Sequence, residues 1–212
     1  DHIQTHKPDI ICMQEMPIAG IGLLLLCGDF LFVAEKLAAL GYVHYTDPLS
    51  CTPHIGSSPG LVIFSKYRIL QTQTQFFKHR RWNSKCKGFQ YAKIKAPNGK
   101  LVNIINLHLD PRDRATQFQQ IEECETSNLW SSTESGDSYN LCTGDFNICS
   151  NSKYQRPYKY LCQHLSQGLA LHTDLFCDTK RTWSTRKKRS GTRSLDHMFV
   201  NDAVKQNVMT TE

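Results

Sequence analysis

The sequence predicts a mixed α/β sandwich, and three observations carry that expectation. Apolar runs of strand length recur along the chain, several bounded by Gly, Pro or Asn-Gly turn signals. These runs fall into two groups separated by segments with helical spacing, which suits a sandwich better than a βαβ array. The length of 212 residues, 40% hydrophobic and 21% charged, is ordinary globular composition and fits one domain, or most of one, with a sizeable core.

The elements follow in chain order. The opening Asp1–Ile10 segment reads as the end of a helix already under way, then a Pro turn leads into a buried strand at Asp9–Glu15 (DIICMQE). Pro17–Asp29 is an irregular apolar stretch containing three glycines. Phe30–Leu40 has helical spacing and stops at Gly41, a C-cap residue. Gly60–Ser65 and Ile69–Phe77 read as strands joined by the Ser65–Arg68 turn. Phe89–Lys95 and Leu101–Leu109 form a hairpin about Pro97-Asn98-Gly99, because Asn-Gly is a strong turn signal. Arg112–Leu129 is a polar, Gln-rich helix, and Tyr139–Asp145 a buried strand. Tyr154–Leu165 is helical, Leu169–Phe176 ambiguous, and Ser194–Asn201 a strand. There is no internal repeat, coiled coil or low-complexity tract.

The net charge of +6 and a pI near 8.8 favour an anionic partner: nucleic acid, phospholipid headgroups or a phosphorylated small molecule. Charge alone does not choose among them. The nine cysteines include no CxxC pair, and Cys12, Cys142, Cys149 and Cys162 sit in or beside apolar runs. Burial as small hydrophobes in a reducing compartment is therefore expected over a disulfide framework or a zinc site. No signal peptide is visible and the run Ile21–Cys27 is too short to span a bilayer, so targeting information is expected upstream of Asp1.

Four short segments end or centre on polar residues inside otherwise apolar strands. Glu15 ends DIICMQE, where a carboxylate is either a solvated strand end or a ligand for a hard cation such as Mg²⁺. Asn106 and His108 share one face of VNIINLHL, although a single strand histidine is usually structural. Asp145 and Asn147 in GDFNI are two apart, which on a continuing strand places both on one face and Phe146 in the core. Asp and Asn after a strand are also common turn formers. Asp196 shares a face with Ser194 and Met198, while His197 points the other way with Leu195 and Phe199. An Asp in mid-strand is unfavourable unless paired or bound. Together, the four segments suggest one catalytic face.

In order, DIICMQE, GLVIFSKYRI, VNIINLHL, CTGDFNI and SLDHMFV resemble the endonuclease/exonuclease/phosphatase superfamily, which includes pancreatic-type deoxyribonuclease. The resemblance covers nearly the whole chain. It implies a four-layered α/β sandwich, two packed mixed β-sheets flanked by helices, with Mg²⁺-dependent hydrolysis of phosphoester bonds. Lys87–Ile94 (KGFQYAKI) and Arg114–Ile121 (RATQFQQI) are similar to segments of the neutral sphingomyelinase branch. That branch implies a sphingomyelin membrane surface as substrate and an intracellular site, peripheral to or anchored on a membrane through segments outside this chain.

The resemblance also implies roles. Glu15 coordinates Mg²⁺; His108 donates a hydrogen bond to a non-bridging phosphoryl oxygen; Asp145 orients or deprotonates the attacking water; Asn147 holds the phosphate or that water. Asp196 orients a later catalytic histidine, and Asn106, Lys87 and Arg114 bind substrate. The family's final S-D-H segment and its first strand are not found in residues 1–212, so a domain clipped at both ends, or a degenerate copy, is expected. Asp196-His197 does not serve as that motif, because alternation separates its two side chains. Basic Lys180–Arg193, with Trp183, is either a solvated loop or a clamp for phosphates, and Ile18–Cys27 either covers the core or touches a membrane. A deoxyribonuclease-like nuclease and a non-catalytic phosphate- or lipid-binding remnant are the rival readings.

Overall fold

Strand alternation sorts the apolar side chains into opposite faces, and those faces stack into four layers. The computed structural model describes residues 2–16, 19–21, 24–26, 28–48, 60–80, 87–127, 138–150, 155–171, 173–174 and 195–208. Helix α1 (His2–His6) leads into β1 (Ile10–Met13). A small hairpin, β2 (Ala19–Ile21) with β3 (Leu24–Leu26), precedes α2 (Gly28–Ala38) and β4 (His44–Tyr45). Strands β5 (Val62–Ser65), β6 (Ile69–Phe76), β7 (Gly88–Lys95) and β8 (Leu101–His108) follow. Then come α3 (Arg114–Thr126), β9 (Tyr139–Asp145), α4 (Gln155–Leu169), β10 (Thr173–Asp174), β11 (Asp196–Val200) and α5 (Asp202–Val208).

Two sheets face each other. The smaller has the order β1-β5-β4, antiparallel throughout its described strands. The larger has the order β10-β11-β9-β8-β7-β6 and is mixed, because β8 and β9 run parallel while its other pairs are antiparallel. A parallel pair needs a crossover, and α3 supplies it.

The core has three parts, one for each boundary between layers. Phe30, Ala34 and Leu37 of α2 pack on Ile11, Met13, Val62 and Phe64 of the smaller sheet. Between the sheets lie Ile10, Cys12 and Ile63 against Ala92, Ile94, Val102, Ile104 and Leu141. Behind the larger sheet, Phe89, Tyr91, Ile105, Leu107, Cys142, Phe146 and Phe199 meet Ile121 and Cys124 of α3 and Leu161, Leu165 and Leu169 of α4. This is the four-layered α/β sandwich that the resemblance implied. Cys12, Cys124, Cys142, Cys149 and Cys162 are free thiols, buried or half-buried. Burial pushes the Cys12 thiol up to about 12, the behaviour of a small core hydrophobe.

Several boundaries have clear causes. Helix α2 ends where Gly41 takes φ +95°, with Tyr42 N–H bonded to the Leu37 carbonyl (3.0 Å) and Gly41 N–H to Ala38 (3.0 Å). The β7–β8 hairpin turns at Gly99 (φ +82°), and Asn98 Oδ1 accepts from Lys100 N–H at 3.1 Å. Asp113 caps α3 by accepting the Thr116 N–H at 2.9 Å. The Ser65–Arg68 turn does more than join two strands: it carries the chain from the smaller sheet to the larger, and β5 and β6 do not pair. Pro17–Asp29, expected to be irregular, contains the β2–β3 hairpin and the start of α2. Its unbroken leucine run hides any period of two. Among the described residues no helix is long and apolar enough to cross a membrane.

Candidate active site

Pairing register lines up the chemistry. In the larger sheet Gly88 pairs with His108, His108 with Asp145, and Asp145 with Asp196, so four adjacent strands meet in one row. The row lies at the C-terminal ends of β8 and β9 and faces the smaller sheet, the side that also bears Ile104 and Leu141. That register depends on Gly144, which has φ +139°; a Cβ there would stand 2.0 Å from the Leu107 carbonyl oxygen.

Two residues reach the row by leaving strand geometry. Glu15, just past β1, has φ +56°, and Asn147, just past β9, has φ +51°. The expectation that Asn147 joins Asp145 through strand alternation is corrected here. Strand β9 ends at Asp145, and the two meet through a turn in which Asn147 N–H donates to Asp145 Oδ1 at 2.9 Å. Phe146 between them is fully buried in the core.

His108 is at the centre, its side chain 2% exposed. Its Nε2 lies 3.5 Å from Asp145 Oδ2 and 3.9 Å from Glu15 Oε1. The buried Lys87 Nζ sits 2.6 Å from that nitrogen and 3.0 Å from Nδ1. Glu15 is by contrast 69% exposed, its carboxylate projecting over the row from the smaller sheet. Burial raises the Asp145 carboxyl to about 6; the Asn147 N–H opposes this, Asp196 adds to it, Lys87 opposes it, and Glu15 adds to it. Asp196 is also raised, by burial first, with the His197 charge opposing.

The remaining predicted residues are engaged with the scaffold. Asn106 Nδ2 donates to the Met13 carbonyl (2.9 Å) and the Val62 carbonyl (3.3 Å), and its Oδ1 accepts from Gln14 Nε2 (2.6 Å). Those bonds make it a fully buried tie between the sheets. Arg114 Nη1 donates to Gln117 Oε1 (2.6 Å) and to the Asn147 carbonyl (3.1 Å), holding the turn from behind. Asn147 Nδ2 donates to the Leu109 carbonyl at 3.0 Å, which directs its Oδ1, an acceptor, away from that bond. Lys180–Arg193 and Trp183 lie outside the described residues, as do the side chains of residues 18–27.

Gln14, Gln117 and Asp174 were not singled out from the sequence. Gln14 shares the face of Ile10 and Cys12 by alternation, a signal that was present. Gln117 and Gln120 occupy inward positions of α3 beside Ile121 and Cys124, where an apolar stripe is usual. A cavity of 360 Å³ opens between the sheets beside Asp196, lined mainly by Cys12, Gln14, Ile104, Leu141, Thr143 and Met198.

Glu15 offers an exposed carboxylate oxygen at the row, the kind of donor that Mg²⁺ takes, although among the described residues no three His, Cys, Asp or Glu side chains gather as a metal-binding group. Mg²⁺ needs only one or two carboxylates when water and substrate phosphate complete its shell.

The model of the Endonuclease/Exonuclease/phosphatase family matches residues 1–210. A comparison with curated proteins finds no match. Among solved structures, the chain is similar to beta toxin from Staphylococcus aureus, with 21% identity, a TM-score of 0.70, and coverage of 96% of this chain and 75% of that one. Sphingomyelinase C from Streptomyces griseocarneus shares 16% identity at a TM-score of 0.67, covering 92% of this chain and 71% of the other. A mannosyl-6-phosphatase from Bacteroides thetaiotaomicron shares 17% at 0.65, covering 95% and 74%. A variant of the beta toxin with bound magnesium ions shares 22% at 0.60, covering 80% and 67%.

Proposed function

The chain belongs to the endonuclease/exonuclease/phosphatase family, hydrolases of phosphoester bonds, and on that premise we propose that it is a Mg²⁺-dependent phosphodiesterase of the neutral sphingomyelinase type. It cleaves sphingomyelin at a phospholipid surface to ceramide and phosphocholine. The observation that carries this reading is the convergence of His108, Lys87, Asp145 and Glu15 within 4 Å contacts at the meeting of the two sheets. The choice of lipid rests on Lys87, which opens the sphingomyelinase-like segment Lys87–Ile94 and reaches the site, and on the fold shared with a sphingomyelinase.

Each side chain has a chemical task in this mechanism. Asp145, raised to about 6, is ionised at neutral pH yet basic enough to take a proton from the attacking water. Asn147 presents an acceptor oxygen, which suits a second hydrogen of that water better than an anionic phosphate oxygen. Lys87 and His108 face the non-bridging oxygens and offset the charge that develops there. Glu15 would hold the Mg²⁺ ion. When bound, that ion polarises a phosphoryl oxygen as a Lewis acid. Asn106 and Arg114 act as positioning residues, through the sheet interface and the Asn147 carbonyl respectively.

The test is an assay with Mg²⁺ against sphingomyelin vesicles and, separately, plasmid DNA, with Asp145→Ala as control. Release of phosphocholine that the control loses is the expected result. Nicked DNA without phosphocholine overturns the lipid reading in favour of a nuclease. Silence on both substrates favours a binding protein.

A further inference from the structure

His197 takes no part in this chemistry, yet it is fully buried directly behind the row. It follows Asp196 and points to the opposite side of β11, where Tyr158 (5.3 Å between ring centroids), Phe146 (5.6 Å) and Phe199 (5.9 Å) enclose its ring. Its Nε2 lies 2.7 Å from the Ile148 carbonyl oxygen, and its Nδ1 lies 2.8 Å from Asp174 Oδ2. A carbonyl oxygen only accepts, so Nε2 carries a hydrogen.

The other nitrogen faces Asp174, whose side chain is 3% exposed. Besides facing His197, its Oδ2 accepts the Tyr158 hydroxyl at 2.8 Å, and its Oδ1 accepts the Met198 N–H at 3.2 Å. We infer that His197, clamped between Asp174 and the Ile148 carbonyl, is a positioning residue for the site.

The placement makes one ring serve two site residues. Ile148 directly follows Asn147, so the Nε2–H bond fixes the outgoing end of the Asp145–Asn147 turn. Arg114 and Gln117 hold the same turn at the Asn147 carbonyl, from the side of α3. His197 also fixes the strand that carries Asp196, whose backbone pairs with Asp145. A buried ring bonded at both nitrogens holds the elements on either side of it in one geometry.

The kinetic arm of the test rests on the phosphodiesterase reading; the spectroscopic arm does not. In the ¹⁵N-labelled protein, His197→Gln is expected to shift the backbone amide signals of Asn147 and Ile148. Unchanged signals there overturn the clamp whether or not the protein is active. His197→Gln is expected to lower kcat at least about tenfold with KM changed far less, because misplacement of catalytic groups acts on the chemical step. An unchanged kcat in the folded variant overturns the positioning role. If His197→Gln does not fold, Tyr158→Phe keeps the ring and removes one donor to Asp174; a smaller loss in kcat supports the role, and none overturns it.

Discussion

Asp145 joins two opposed effects in one carboxyl. Its rise from 3.8 to about 6 places the acid limb of kcat/KM near pH 6, with activity increasing as pH rises through it. The same shift lowers stability. Below about pH 4 the carboxyl is protonated both folded and unfolded; between there and about pH 6 the unfolded chain releases its proton first, so folding becomes progressively less favourable, and above that the difference is constant. Asp145→Asn removes this cost while keeping an acceptor for the Asn147 N–H. Asp145→Asn is therefore expected to lose activity, yet to gain on the order of 1–3 kcal/mol at neutral pH. Thermal melts across pH check the sign: the gain should fade in acid, and a variant less stable than the parent at pH 7 contradicts the shift. The pair Asp145 and Asn147 was legible in the sequence as a carboxylate and an amide held together. The turn that joins them was not, because a left-handed Asn after a strand leaves no periodic trace.

Legibility at the scale of elements depended on whether the determining signal was local. Strands β7 and β8 were readable because Asn98-Gly99 sets the turn, β7 carries Phe89, Tyr91 and Ile94, and β8 carries Val102, Ile104 and Ile105. Strands β4 and β10 have two residues each and exist through distant partners, His44 opposite Ser65 and Asp174 opposite Phe199. No window around them could reveal that. Gly144 lies between these cases: a glycine in a strand permits a close approach but does not say to which neighbour. The neighbour is β8, and the approach permits no side chain. Gly144→Ala is expected to destabilise the protein by more than about 3 kcal/mol, combining a positive φ with a backbone collision. Chemical denaturation measures this. A loss under 1 kcal/mol, on the scale of an ordinary surface change, would mean that β8 and β9 can separate without consequence.

The site of the whole molecule straddles an interface between layers: Glu15 follows β1 of the smaller sheet, and His108, Asp145 and Asp196 belong to the larger. Polar ties keep the sheets in place. Asn106 joins Met13, Gln14 and Val62, and Thr46 donates to Gln90 at 2.5 Å. Asn106→Leu keeps the volume and leaves buried partners unsatisfied, at a cost of about 1–3 kcal/mol for each such group. Its expected kinetic signature is selective: the Mg²⁺ concentration needed for half-maximal activity rises roughly tenfold, while the acid limb set by Asp145 stays in place. A shift of both together would locate the damage in the larger sheet instead. The facing of apolar residues was readable from sequence, since alternation is intrinsic to a strand. The partners of Asn106 were not, because they lie 44 to 93 residues away in chain order.

The row Gly88, His108, Asp145, Asp196 also makes the sheet the ruler of the site. Neighbouring groups stand one strand spacing apart, about 4.8 Å, whatever lies in the loops between them. Residues added to the connections after β7, β8 or β9 leave those intervals untouched. One residue added within β9 would turn Asp145 toward α3 and α4 and bring Phe146 out between the sheets. Divergence in chain length should therefore collect in the connections, while each strand keeps its count.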